Sequence, residues 1–428
     1  MPDPQTNAVL EENVRLRRAV EELSVLNDLA RAISASLDSQ EIMATIIRRS
    51  LRAVQAEQGV ITLVDQQSGD TMKTLVRAMG SSTEHEKFHL NQTLLGWMHL
   101  NKVPLLMNSP KTDERFKGVS WDESVRSLLC VPMMMKSELK GVLTIYNKKD
   151  GKQFTDEDQR ILAIIAAQSA QVIENSRLNE REKQLLKMQE EVRLASRIQQ
   201  ELLPQKAPVI TGYDIAGKSI PAQVVGGDYF DFVTMDDSML AICLGDVTGK
   251  GLPASLLMAN TQATLRGQAL LKAAANECIQ RANKLLYQST DPEKFVTLFY
   301  GILDITRHVL SYSNAGQDPP ILITCNGNVR RLDKGGIALG MLDEFPFDEE
   351  TVQLQPGDVL VLYSDGISEA MNPMQEQFTD ARLERLLGEN LNSPAAALID
   401  TIVDAVKSHA GTAPQMDDMT LVVVKRTS

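Results

Sequence analysis

The sequence predicts an α+β protein with two domains joined by a helix, and three observations support this. A chain of 428 residues is longer than a single hydrophobic core usually supports, so two domains of roughly 150–230 residues are expected. Both halves mix short β-rich runs with helical segments. A charged, strongly helical segment without Gly or Pro separates them. The predicted organisation is an N-terminal helix at 1–22, a first domain at 23–177, a helical linker at 178–203 and a second domain at 204–428.

The N-terminal segment has the apolar spacing of an amphipathic helix. Its apolar residues recur at alternating intervals of three and four: Leu16, Ala19, Leu23, Leu26, Ala30 and Ile33. Such a stripe packs on its own domain or forms the seam of a dimer. The sequence leaves both interpretations open.

The first domain has a mixed pattern of strands and helices. A turn is predicted at Gln66–Asp70, and a helix is predicted to begin after the N-cap Thr155, with Asp158 three residues further on. Four extended runs are predicted to be strands: Gly59–Val64, Thr74–Met79, Leu128–Met135 and Gly141–Asn147. Antiparallel strands closed by helices make a compact α+β module.

This segment resembles a GAF domain, a small-ligand and dimerisation module of signalling proteins. Some cyclic-nucleotide-binding GAF domains carry an Asn-Lys…Phe…Asp-Glu signature, which Asn147, Lys148, Phe154 and Asp158 match, whereas Gln159 replaces the final Glu. Asn-Lys after a strand is also an ordinary turn, so nucleotide binding is the less favoured interpretation. The resemblance implies an unknown small ligand or partner.

The segment between the domains fits a short heptad seam. Its apolar positions are Leu178, Leu185, Met188, Val192 and Ala195, with Arg181 as an interruption. The alternative is a single solvated helix, but continuity with the preceding helix favours a coiled coil in a homodimer. Pro204 is expected to end it.

The second domain is predicted to contain an antiparallel sheet. A helix is expected from Pro253, and the Asn-Gly-Asn run at 326–328 predicts a hairpin turn. Pairs of runs at hairpin spacing favour antiparallel pairing over a βαβ series. The predicted strands are Met239–Leu244, Phe295–Asp304, His308–Ser313, Pro320–Thr324, Val359–Tyr363 and Met419–Val424.

Composition excludes several classes of protein. A net charge of −12 argues against nucleic acid as a partner. No apolar run reaches the roughly 18–20 residues that cross a bilayer, and the N-terminus lacks a secretion signal, so a cytosolic protein without a membrane partner is expected. The cysteines lie far apart, and each is expected to be a small buried residue: Cys130, Cys243, Cys278 and Cys325.

Acidic residues beside glycine stand at the ends of apolar strands. Asp228 follows two glycines, Asp246 and Asp365 end buried runs, and Asp417 with Asp418 begins another. One Asp-Gly at a strand end is usually a turn. Carboxylates that converged from several strands would repel one another unless cations intervened. Because hard divalent ions take oxygen ligands, the pattern predicts a Mg²⁺ or Mn²⁺ site, which a backbone carbonyl can complete.

A nucleotide-binding P-loop does not fit residues 245–255. That motif needs Gly-x₄-Gly-Lys-Ser/Thr. Only three residues separate Gly245 from Gly249, and Gly251 stands where a hydroxyl residue is required.

From about Ser196 to the C-terminus, the order of these segments resembles the PPM family of metal-dependent protein phosphatases, and more closely its bacterial SpoIIE branch with the RsbU-like regulators. The segments that carry the resemblance are IQQELLP, GGDYFD, GDVTGKG, FVTLFYGILD, NAG, PGDVLVLYSDGISEA and DDMT. Two departures are Gln317 where the family often has His, and Ser364 for the commoner Thr. No arginine is identified as the phosphate ligand.

The resemblance implies an αββα sandwich with two metal ions at one edge. Asp246 would bridge both ions, Asp228 and the carbonyl of Val247 would bind one, and Asp365 with Asp417 would complete the other. Asp418 is the alternative if the register of DDMT is one off, and Asp231 is a less favoured ligand. The implied activity is hydrolysis of phosphoserine or phosphothreonine by a metal-activated water, on a phosphorylated anti-sigma-factor antagonist. The alternatives are a catalytically silent signalling scaffold and a nucleotide-hydrolysing or cyclase-like enzyme.

Overall fold

The chain forms two compact units that divide between Leu186 and Lys187. The computed structural model describes residues 39–64, 73–78, 92–291 and 293–428. The predicted N-terminal helix at 1–22, its apolar stripe as far as Ile33 and the turn at Gln66–Asp70 lie outside the described residues. Within them, no helix combines the length and the apolar character needed to span a membrane.

The first unit contains one antiparallel sheet with helices on it. The strand order is β2-β1-β5-β4-β3, and every neighbouring pair is antiparallel. Short 3₁₀ turns lie at Pro110–Thr112, Glu114–Phe116 and Lys149–Gly151. The helices and strands are α1 Ser39–Ala53, β1 Ala56–Leu63, β2 Lys73–Ala78, α2 Gln92–Asn101, β3 Leu105–Met107, β4 Leu128–Met135, β5 Glu138–Lys148 and α3 Asp156–Leu202.

Each face of this sheet packs in a separate core, because side chains alternate along a strand. On β5, Leu143 and Ile145 pack with α1 and the start of α3, whereas Val142 and Tyr146 pack with α2. The α+β prediction for this half is confirmed.

The predicted N-cap of α3 is present and reciprocal. The Thr155 N–H donates to Asp158 Oδ2 at 2.8 Å, and the Asp158 N–H donates to Thr155 Oγ1 at 3.3 Å. Lys148 also donates to Asp158 Oδ2. The Asn147 side chain accepts from the Arg126 N–H at 2.8 Å. These signature residues therefore connect β5 to α3 and to the loop that precedes β4.

The second unit contains two sheets. One has the order β13-β10-β9-β8-β7, with β14 also on β10, and the other has the order β12-β11-β15-β16-β6. Their elements are β6 Tyr213–Ile220, β7 Tyr229–Thr234, β8 Met239–Val247, α4 Leu252–Ala269, α5 Ala275–Ser289, β9 Val296–Asp304, β10 Val309–Ala315, β11 Ile321–Ile323, β12 Val329–Arg331, β13 Gly335–Gly336, β14 Glu350–Gln353, β15 Val359–Tyr363, α6 Asp365–Ser368, α7 Asp380–Glu389, α8 Ala395–Ala410 and β16 Met419–Arg426.

The two sheets pack face to face between two layers of helices. Leu240, Ile242 and Leu244 of β8 point into the core between the sheets. The alternate residues Ala241 and Cys243 pack under α4 and α5. Helices α7 and α8 cover the outer face of the second sheet. The αββα sandwich is therefore confirmed.

Two details differ from the predictions. The short β10–β13 pair is parallel, so the first sheet is not antiparallel throughout. Cys325 is exposed, whereas Cys130, Cys243 and Cys278 are buried as expected, and all four are free. Cys325 lies in the turn between β11 and β12, where side chains reach the surface.

Candidate metal centre

In the second unit, the sheet that contains β7 and β8 (its first sheet) places Asp228 opposite Asp246. In the antiparallel β7–β8 pair, Tyr229 lies opposite Gly245. The next position along this register pairs Asp228 with Asp246. Both acids therefore stand at the same end of adjacent strands, although they are 18 positions apart in the sequence.

The second sheet brings the remaining acids together in the same way. Strands β15 and β16 are antiparallel, with Tyr363 opposite Leu421. Beyond that pair, the Ser364 N–H donates to the Thr420 carbonyl at 3.0 Å. Asp365 thus leaves one strand where Asp417 and Asp418 enter the other.

The pKa values of these aspartates indicate that the acids of the two sheets lie near one another. Burial, and then the charge of Asp246, raise the pKa of Asp228 well above its ordinary value. Burial raises the pKa of Asp246 to about 7, with the charges of Asp365, Asp417 and Asp418 as further causes. Burial and the neighbouring Asp417 also raise the pKa of Asp365. Acids from four separate segments therefore repel one another.

Two features of this cluster suit a cation. The Asp228 side chain is 3% exposed, and its buried Oδ2 has no hydrogen-bond partner. A Cβ at Gly227 would stand 3.0 Å from the Val247 carbonyl oxygen and 3.3 Å from Asp246 Oδ1. The glycine thus leaves open a space that faces both oxygens. Among the described residues no three acidic, His or Cys side chains are already placed to hold a metal ion together, but the unsatisfied oxygen and the crowded charges fit a divalent ion.

Asp417 and Asp418 face different partners. Asp418 is 7% exposed and accepts backbone N–H bonds from Ala222 at 2.7 Å, Gly227 at 2.6 Å and Asp228 at 3.3 Å. Asp417 is 40% exposed and forms an ion pair with Lys250 at 2.8 Å. Asp418 is therefore engaged by the loop that carries Asp228, and Asp417 faces the cleft.

We expect these two aspartates to differ when each is replaced by Ala in the metal-free chain. Asp418→Ala leaves three buried backbone N–H groups without an acceptor, each costing about 1–3 kcal/mol, so we expect a loss of at least about 3 kcal/mol in unfolding free energy. Asp417→Ala removes a half-exposed ion pair of about 0–1 kcal/mol, so stability stays near wild type. Urea unfolding in a chelator measures both. A larger loss for Asp417→Ala would contradict these assignments.

Lys250 is a part of the site that the sequence did not reveal. Its Nζ donates to the Met416 carbonyl at 2.5 Å as well as to Asp417. A small cleft is lined by Gly227, Asp246, Lys250, Asp417 and Asp418 among others. Lysine thus supplies positive charge to a cleft that is otherwise acidic. The only sequence signal was its place in the glycine-rich loop after Asp246.

Asp231, the less favoured ligand, is occupied elsewhere. Its side chain is fully buried and pairs with Arg266 Nε at 2.6 Å and the Tyr229 hydroxyl at 2.9 Å. Because Arg266 lies on α4, this ion pair fastens the helix to the first sheet. The contacts indicate a structural role.

Gln317 and Asp318 border the site from the loop after β10. Gln317 accepts from the Thr297 hydroxyl at 2.7 Å and donates to the Tyr363 carbonyl at 3.2 Å. Its amide thereby joins the strands that lead to Asp246 and Asp365. Burial, and then the charge of Asp365, raise the pKa of Asp318 to about 6, which makes it a further acid of the site that the sequence pattern did not indicate.

Comparison with known proteins assigns both units. The GAF domain family model matches residues 36–174, and the model for stage II sporulation protein E (SpoIIE) matches residues 236–427. The second match includes Asp246, Asp365 and Asp417 and begins after Asp228.

Curated relatives agree with these matches. The chain is 30% identical to protein IcfG of Synechocystis sp. over 55% of the chain and 41% of that protein. It is 29% identical to phosphoserine phosphatase RsbU of Bacillus subtilis over 55% of the chain and 70% of that protein. The fold resembles the solved SiaA-PP2C domain of Pseudomonas aeruginosa, with a TM-score of 0.50 and 22% identity over 57% of this chain and 98% of that one. The chain therefore combines a GAF-type domain at residues 36–174 with a SpoIIE-type domain at residues 236–427, and its second unit has the fold of the SiaA-PP2C domain.

Proposed function

We propose that this chain is a divalent-metal-dependent phosphatase acting on phosphoserine or phosphothreonine in a protein. The observation that carries the proposal is the mutual repulsion within the cluster Asp228, Asp246, Asp365 and Asp417, together with a buried Asp228 oxygen that has no hydrogen-bond partner. The similarity to a phosphoserine phosphatase supports the reaction type.

The proposed ligand set follows from the contacts above. Asp246 pairs with Asp228 across the first sheet and meets the charges of Asp365 and Asp417 from the second, which supports it as the shared ligand. We group Asp228 and the Val247 carbonyl as one set of ligands, and Asp365 with Asp417 as the other. We assign Asp418 to holding the Asp228 loop. Two bound Mn²⁺ or Mg²⁺ ions would acidify a water and neutralise charge on the phosphoryl oxygens.

The protein's own residues would prepare this chemistry. Asp228 is buried and Asp246 is half-buried, which shields their carboxylates from bulk water and strengthens their attraction for cations. Lys250, which is half-exposed at the cleft, would attract the phosphorylated side chain. The scaffold alternative requires a missing acid, and each proposed ligand is present.

We further propose that the GAF domain regulates this site through α3 in a homodimer. The supporting observation is that several apolar residues of α3 are exposed in the single chain, including Leu185 at 61% and Met188 at 64%. A second copy would cover such a stripe. A signal at the GAF domain would shift the helix and thereby change metal affinity. The substrate implied by the RsbU-like resemblance is a phosphorylated anti-sigma-factor antagonist, and the cytosol is the expected compartment.

The test is phosphate release by the full chain with Mn²⁺ and with a chelator. We expect Mn²⁺-dependent release from a phosphoserine protein and from a generic phosphate ester, but not from ATP or GTP. Release from nucleotides alone would favour the nucleotide hydrolase, and no release from any substrate would favour the scaffold. If the full chain and residues 187–428 had equal specific activity, with and without candidate ligands, the proposed regulation by the GAF domain would be wrong.

A further inference from the structure

The end of α3 contacts the loop that carries Asp228 through one side chain, Gln199. The Gln199 Nε2 donates to the Gly226 carbonyl at 2.6 Å, and its Oε1 accepts from the Gly226 N–H at 3.0 Å. Gln199 is 9% exposed, so water does not readily replace these bonds. A primary amide that pairs with both groups of one residue fixes the position of that residue in two directions.

The same loop is also held by Asp418. The N–H groups of Gly227 and Asp228 donate to Asp418 Oδ2, while that of Gly226 donates to Gln199. A Cβ at Gly226 would stand 2.4 Å from Asp418 Oδ2, so the loop has little room to shift in that direction. Gln199 and Asp418 therefore together hold the backbone of Gly226, Gly227 and Asp228.

The end of α3 also contacts the helix that follows Asp246. Gln262 on α4 donates to the Leu202 carbonyl at 2.6 Å. Thus the last turn of α3 is bonded both to the loop before Asp228 and to the helix after the Asp246 loop. Any displacement of this turn changes the surroundings of both acids.

On the basis of the proposed function, we propose that Gln199 is a positioning residue for metal binding. Its paired bonds hold the peptide of Gly226, and with it the carboxylate of Asp228, where a divalent ion can be bound. Movement of α3 withdraws the amide and lowers metal affinity. The same two bonds thereby give the regulatory helix a direct contact with the ligand set.

The experiment compares Gln199→Leu with wild type and with the matched control Gln200→Leu in the full chain. Gln200 is the next residue of α3 and is exposed. Loss of a residue that orients a metal ligand costs about 10–100-fold in affinity. We expect Gln199→Leu to raise the Mn²⁺ dissociation constant, measured by calorimetry, by about 10–100-fold. Turnover at saturating Mn²⁺ should change little, and Gln200→Leu should match wild type.

A second readout needs neither metal nor substrate. Hydrogen exchange of the Gly226 amide in the metal-free chain should be faster in Gln199→Leu than in Gln200→Leu. Gln199→Glu, which keeps the acceptor but loses the donor, should weaken Mn²⁺ binding in the same direction.

Three outcomes would overturn the proposal: an unchanged Mn²⁺ dissociation constant, equal weakening by Gln200→Leu, or general unfolding of both Gln199 variants, since this indicates a purely structural role. Absence of hydrolysis by the wild-type chain would instead overturn the proposed function, and the binding and exchange measurements would still decide the role of Gln199.

Discussion

Asp246→Asn is expected to abolish Mn²⁺-dependent hydrolysis while leaving the fold intact. Asp246 is the acid whose pKa is raised by burial and by the acids of the second sheet, and it also lies opposite Asp228 in the first sheet, so it has the central place in the cluster. Loss of an outer partner of a metal ligand costs about 10–100-fold, and loss of a shared ligand should exceed that. Phosphate release across a Mn²⁺ titration measures the effect.

The melting temperature of Asp246→Asn distinguishes a loss of catalysis from a loss of folding. Asparagine removes a carboxylate that burial and three neighbouring charges make costly to ionise. The metal-free variant should therefore melt at a higher temperature than metal-free wild type at pH 8, and added Mn²⁺ should stabilise it less. Asp400→Asn is the matched control, because Asp400 is 63% exposed and pairs with Lys218 on the outer surface. Unchanged hydrolysis by Asp246→Asn would exclude the proposed ligand set.

Gly366→Ala should damage the site by separating its two strand ends. A Cβ at Gly366 would stand 2.1 Å from the Asp418 carbonyl oxygen and 3.2 Å from the carbonyl carbon of Asp417. Because these are backbone atoms, the segments carrying Asp365 and Asp417 must move apart. We expect a loss of about 1–3 kcal/mol in unfolding free energy and a large fall in Mn²⁺ affinity. Urea unfolding and calorimetry measure the two effects.

Gly388→Ala is the matched control for this change. Gly388 lies in α7, and a Cβ there would meet no atom within 4 Å. Alanine should add about 0.5–1 kcal/mol of stability, since it favours the helix, and leave activity as in wild type. Wild-type Mn²⁺ dependence in Gly366→Ala would show that the spacing of these strand ends does not matter for metal binding.

The sequence is informative wherever the signal is local. An acid beside glycine at the end of an apolar run is visible in a few consecutive residues, and this pattern indicates Asp228, Asp246 and Asp365. The strand Val359–Tyr363 and the cap formed by Thr155 and Asp158 are also predictable, because a short window contains the whole pattern.

Residues that depend on contacts distant in sequence cannot be predicted in the same way. Lys250 meets Asp417 only after the two sheets pack, and Gln199 resembles any polar residue of a solvated helix until it meets Gly226. The choice between Asp417 and Asp418 depends on which way each side chain leaves the start of β16. The neighbouring residues in the sequence do not indicate the direction in which these two side chains point.

The most direct test is a crystal of the full chain soaked in Mn²⁺ and measured at the manganese absorption edge. The account predicts two anomalous peaks bounded by Asp228, Asp246, Asp365 and Asp417, one of them beside the Val247 carbonyl. Peaks confined to other surfaces of the protein, with these carboxylates left without a cation, would contradict it.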